Sequence, residues 1–138
     1  MGAWGNGPFA NDDALDFMNE VERHPTWDEV REEFGRVIAI NGYLEAPDGS
    51  QAVAGAALVA SNLGHGNFLP DDYANLLTKM GPMPLDIVSL AKQALARVLG
   101  EDSELKELWQ ENTGERESEY TDWLRTLTDI QDALNKST

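Results

Sequence analysis

Three observations predict an all-α fold: apolar residues recur at helical spacing along most of the chain, helix caps and breakers divide that pattern into segments, and no segment alternates as a strand would. The expected architecture is a compact bundle of six or seven helices with a fixed N-terminal arm rich in Gly and aromatics. At 138 residues the chain suits one domain, 1–138, with residues 1–10 as the arm packed on the bundle. A 41% hydrophobic content supports a core despite a formal net charge of −15.

Each element has its own signal. Residues 1–9, MGAWGNGPF, hold three Gly and one Pro and cannot form a regular helix. Trp4 and Phe9 either plug the core or present a sticky surface, and plugging is the expectation. Ala14, Phe17, Met18 and Val21 then fall at i, i+3, i+4 and i+7, with Asn11 as N-cap and Asp12 and Asp13 at the positive end of the dipole. This helix should stop near Arg23, because His24 precedes Pro25. Thr26 and Glu29 fit a capping box for a second helix carrying Trp27, Val30, Phe34, Val37 and Ile38. Together the two helices form an αα-hairpin.

A turn is expected around Pro47, Asp48 and Gly49, followed by AVAGAALVASNLG, a helix buried on most sides whose small residues allow close approach. Pro70, Asp71 and Asp72 start a helix that buries Leu76, Leu77 and Met80. After the breakers Gly81, Pro82 and Pro84, a stripe of Leu85, Val88, Ala91, Leu95 and Val98 runs to Gly100, read as a C′ glycine. Asp102 or Ser103 caps the segment with Leu105, Leu108 and Trp109. The last helix carries Tyr120, Trp123, Leu127, Ile130 and Leu134, with Trp109 and Trp123 in the core.

Charge narrows the function. Residues 12–33 carry nine acids and two bases, and residues 101–120 carry eight acids and two bases, so these two segments hold nearly all the excess negative charge. The field repels phosphate backbones and anionic lipid and attracts basic proteins, which points away from nucleic acid and membrane. The acidic segments are two solvated helix faces, or they approach each other as one docking surface. No cysteine is present, which removes thiolate nucleophiles and cysteine-bound zinc. His24 reads as a helix-terminal residue and His65, between Gly64 and Gly66, as a turn residue. Neither lies at metal-ligand spacing, so no metal or cofactor is expected. No serine sits in a nucleophile elbow, and carboxylate pairs such as Asp12 and Asp16 are expected on any face this acidic. The expectation is a non-enzyme. Without an apolar run of membrane length or a secretory leader, it is a cytoplasmic one.

Two stretches carry a resemblance. MGAWGNGPFANDDALD, residues 1–16, and DSELKELW, residues 102–109, are together similar to the bacterial family known as domain of unknown function 4259. Trp4, Gly5, Gly7, Phe9, Asn11, Asp12, Ala14 and Asp16 match its pattern, whereas Asn6 stands where the family carries Thr. The resemblance implies a small bacterial cytoplasmic domain and supplies no catalytic residue. On the structural reading, Trp4 and Phe9 lock the arm against a wall made by Ser103, Leu105 and Trp109. On the functional reading, Asp12, Asp16, Glu104 and Glu107 meet in one acidic patch.

The leading expectation is an immunity or antitoxin-like inhibitor that masks a basic bacterial effector such as a nuclease. It would bind through Asp12, Asp13, Asp16, Glu20, Glu104, Glu107, Glu111 and Trp4. The alternative is a small-molecule-binding or metabolic accessory domain with a pocket beside the Ala-rich helix.

Overall fold

A computed structural model describes residues 7–64, 66–73, 75–111 and 117–136, so Trp4 and His65 lie outside the described residues. Among those described are seven α-helices and one short 3-10 turn, and no strand. None of these helices is long and apolar enough to cross a membrane.

Helix α1 spans Asp12–Arg23, and the Asn11 side chain accepts the Ala14 N–H at 2.8 Å as expected of its N-cap. It ends at His24, whose backbone leaves the helical region (φ −129°, ψ 76°) ahead of Pro25. Helix α2, Asp28–Ala39, starts later than the capping box predicted. Thr26 Oγ1 accepts only the Asp28 N–H, at 3.3 Å, in a local turn. Trp27 is buried and donates its indole N–H to the Gly81 carbonyl at 3.0 Å, and this anchor sets the entry to α2 in place of a Thr26 cap.

Helix α3 runs from Ala46 to Asn62 and absorbs Pro47, Asp48 and Gly49, expected as a turn, into its first turn. Pro tolerates that position because its missing N–H would have had no helical partner. Gly49 is there because a Cβ would stand 3.2 Å from the Cβ of Leu105. From Gly49 to Ala60 every residue except Gln51 is buried, and α3 packs against α1, α2 and three later helices, α5 (Ile87–Leu99), α6 (Glu104–Glu111) and α7 (Glu117–Asn135). Gly55 lets α2 close on α3, with the Phe34 ring 3.1 Å and a Val30 methyl 3.3 Å from where its Cβ would lie.

The single helix expected after Pro70 is split into the 3-10 turn Asp71–Tyr73 and the five-residue α4, Leu76–Met80. Leu85 is fully exposed rather than the first residue of a core stripe. It sits in the turn before α5, whose buried face is Ile87, Ala91, Ala94, Leu95 and Val98. Gly100 is extended (φ −82°, ψ −163°) rather than left-handed, because the chain must run on to α6. The left-handed residue there is Asp102, at φ 56°. Ser103 caps α6, with Oγ 3.4 Å from the Lys106 N–H. Trp123, Leu127, Ile130 and Leu134 of α7 are buried, and the Trp109 and Trp123 rings stack with centroids 6.0 Å apart. In the described part of the arm Phe9 is buried, its ring 6.0 Å from that of Tyr73.

Two substitutions test these assignments by urea unfolding. Asn11→Ala should cost about 1 kcal/mol through loss of the cap. Gly55→Ala should destabilise by about 1–3 kcal/mol despite its better helix propensity, because the added methyl meets a fully buried ring; a stabilised protein would show that α2 and α3 are not in close contact.

Candidate functional site

Residues 102–109 are occupied with holding the molecule together. Leu44 donates its N–H to the Asp102 carbonyl at 2.7 Å and accepts the Glu104 N–H at 2.9 Å, an isolated parallel bridge between the α2–α3 and α5–α6 linkers. Glu104 Oε1 accepts the Ala46 N–H at 2.7 Å, setting a negative charge on the N-terminus of α3. Lys106 Nζ donates to the Leu99 carbonyl at 2.9 Å, setting a positive charge on the C-terminus of α5. Arg97 joins the same seam by donating to the carbonyls of Glu101 and Gly42. The Tyr43 hydroxyl donates to Glu107 Oε1 at 2.7 Å, and that bond, with burial and the nearby charges of Glu107, Glu104 and Glu111, pushes the phenol up to about 12.

Between this seam and the arm lies a cavity of about 50 Å³, lined among others by Gly7, Asn11, Asp13, Ser50, Trp109 and Trp123. It brings Gly7 and Pro8 of the arm and the first turn of α1 to face Leu105 and Trp109 of α6, while Trp4, on which the receiving-wall reading rests, lies outside the described residues. Burial, with Asp16 and Asp12 nearby, raises the Asp13 carboxyl above its ordinary range. The volume admits a few waters and nothing larger.

The second concave site lies where α1, α2 and α3 meet. This groove of about 190 Å³ is lined by Asp16, Phe17, Glu20, Glu29, Glu33, Arg36 and Gln51. Glu33 is fully buried, and its Oε1 accepts from Arg36 Nη2 at 2.7 Å while Oε2 has no hydrogen-bond partner. The Asp48 carboxyl lies against it. Two carboxylates cannot hydrogen-bond without a proton between them, so within the protein Oε2 is satisfied only when the Glu33–Asp48 pair holds a proton. Burial pushes the Glu33 carboxyl up to about 8, Arg36 opposing and Asp48 adding to the shift.

The expected acidic residues are thus divided. Asp16 and Glu20 share the groove with Glu29 and Glu33, while Glu104, Glu107 and Glu111 surround Tyr43. Asp12 is exposed at the start of α1, Asp13 lines the small cavity, and Trp4 lies outside the described residues. Sequence reasoning missed Glu29, Glu33, Arg36, Asp48 and Gln51. The signal for Glu33 was its spacing, three residues after Val30 and four before Val37, which puts it on the buried face of α2. Among the described residues no group of three or more His, Asp and Glu is arranged to hold a metal ion.

Glu33 gives the fold a pH dependence of defined sign. Its folded value, about 8, lies above the ordinary 4.5, so the folded chain holds a proton that the unfolded chain releases between those values. Its stabilising contribution is complete below about 4.5 and is lost as pH rises through about 8. Asp86, held low by its bond to Arg31, acts in the opposite sense at acid pH. The thermal midpoint should therefore fall between pH 6 and pH 9 in the native protein and fall less in Glu33→Gln; parallel declines would remove Glu33 from the account.

No curated protein and no solved structure matches the chain. The family described as domain of unknown function DUF4259 matches residues 2–126, a span that takes in the arm, the groove and the seam around residues 102–109. The chain belongs to that family.

Proposed function

We propose that the domain is a non-enzymatic acidic binding protein whose partner is a basic protein. In its most concrete form it is a bacterial, cytoplasmic immunity or antitoxin-like protein that masks a basic effector such as a nuclease. The observation that supports this reading is the groove, where carboxylates from α1 and α2 line one concavity beside a single arginine. Such an arrangement leaves a negative field facing solvent, which a basic surface would neutralise. Scale argues against the metabolite pocket expected beside the Ala-rich helix. The cavity beside α3 has about 50 Å³, whereas pockets for drug-sized ligands run to roughly 300–1,000 Å³.

The partner-facing surface is accordingly α1 with the neighbouring face of α2, and α6 has a structural part. Gene order offers the cheapest test, since a toxin gene immediately upstream supports the reading and a metabolic operon opposes it. With the upstream gene product in hand, stopped-flow association should be fast at low salt and slow steeply with ionic strength, as exposed charges lose reach at a Debye length of about 8 Å. Asp16→Lys with Glu20→Lys should slow association and leave the thermal midpoint nearly unchanged. Glu104→Lys should instead lower the midpoint, because that side chain caps α3. Association indifferent to both salt and the α1 reversals would overturn the proposal.

A further inference from the structure

We propose that the α1–α2–α3 groove is a socket for one arginine side chain of the partner, its guanidinium docking side-on against the Glu33 carboxylate with Asp16, Glu20 and Glu29 around it. This rests on the partner-binding reading and adds the chemical group recognised.

Acidic residues alone would not define a site. What singles out this cluster is Glu33, a fully buried side chain in the lining of the groove with one carboxylate oxygen that no donor reaches. A buried acceptor left without a donor is unfavourable, and a ligand that supplies one gains by satisfying it. Arg36 cannot do so. It lies three residues along the same helix, reaches only Oε1 through a single nitrogen, and keeps a side chain 59% exposed to water. A guanidinium arriving from outside is not bound by that geometry and can offer two parallel N–H groups to both oxygens. Arg36 is then free to swing into solvent.

Size and layout agree with this ligand. A groove of about 190 Å³ falls short of the roughly 300–1,000 Å³ of a metabolite pocket but suits one long side chain. The carboxylates are spread along it and do not converge in threes, which suits a planar, delocalised cation better than a compact one. The charged groups that face Glu33 are Asp16 and Glu20 from α1, Glu29 and Arg36 from α2, and Asp48 from α3. Four of these are acidic and Glu33 makes a fifth, against Arg36 and against Arg23, which pairs with Glu20 at 2.8 Å, so the socket keeps an excess of negative charge whenever Glu33 is ionised. A proton on Glu33 competes with the arginine, so docking should strengthen as pH rises to about 8 and level off above it.

The test uses the full chain, isotope-labelled, titrated with N-acetyl-arginine methylamide and followed by NMR, with the lysine and citrulline analogues as controls. The arginine probe should shift the amides of Asp16, Glu20, Glu29 and Gln51 and saturate at roughly millimolar concentration, the scale set by a single charged contact. The lysine analogue should bind several-fold more weakly, and citrulline should not bind. E33Q, whose amide can still donate to Asp48 and so keeps the fold, should bind roughly tenfold more weakly.

Equal binding of lysine, no saturable shift at these four residues, or an unaffected E33Q would overturn the socket. The two readings fail separately. If the arginine probe does not bind while the Asp16 and Glu20 reversals still slow partner association, the socket is wrong and the acidic surface stands. If the probe binds in the groove while partner association ignores salt, the socket stands and the function proposed above is wrong.

Discussion

The burial of α3 on nearly every side is the constraint from which the rest of the structure follows. A helix surrounded by five others can carry only small side chains where neighbours come closest, and α3 answers with Ala at five buried positions and with Gly49 and Gly55. Its first-turn N–H groups must be met without free access to water. Glu104, fifty-eight residues away, meets that of Ala46. The need to bring α6 to this place explains the bridge at Leu44, the left-handed Asp102 and the fit of Leu105 over Gly49.

The two acidic segments that look alike in composition therefore do different work. Two carboxylates on α6 have internal partners: half-buried Glu104 serves a helix end, and exposed Glu107 accepts from a tyrosine hydroxyl at the surface. Those on α1 and the facing side of α2 surround a groove, with Glu20 paired to Arg23 and Glu33 to Arg36 on their own helices. Glu33 stands between the two kinds, turned inward as Glu104 is yet lining the acidic groove. A side chain of that kind is destabilising in its ionised form, and a fold that retains it can regain the loss through a proton or a cationic group.

Much of the fold was legible because helical spacing and caps are local. Asn11, Val21 and His24 delimit α1 from sequence alone, and the stacked Trp109 and Trp123 were expected in the core. The errors came where a tertiary neighbour overrode a local preference. Pro47 and Gly49 look like turn residues until Leu105 is placed above them; Thr26 looks like a cap until the Trp27 indole finds Gly81. Leu85 looked like core because the stripe through Ala91, Leu95 and Val98 was extended back past the start of α5 into the turn that precedes it. The groove was half legible: Asp16 and Glu20 were candidates for their charge, but Glu33 was passed over because glutamate is ordinarily a surface residue. Asp48 was hidden in the supposed turn.

The seam between Leu44 and Ser103 also bears on how the protein comes to be folded. A chain growing from the ribosome makes α1, α2 and α3 early, yet the carboxylate that completes α3 belongs to residue 104, and the α6 and α7 faces that cover it come later still. Until then the most apolar helix of the molecule is missing part of its cover. Native structure thus arrives only after α6 and α7 have been made, and the small side chains of α3 offer only shallow apolar surface during the wait.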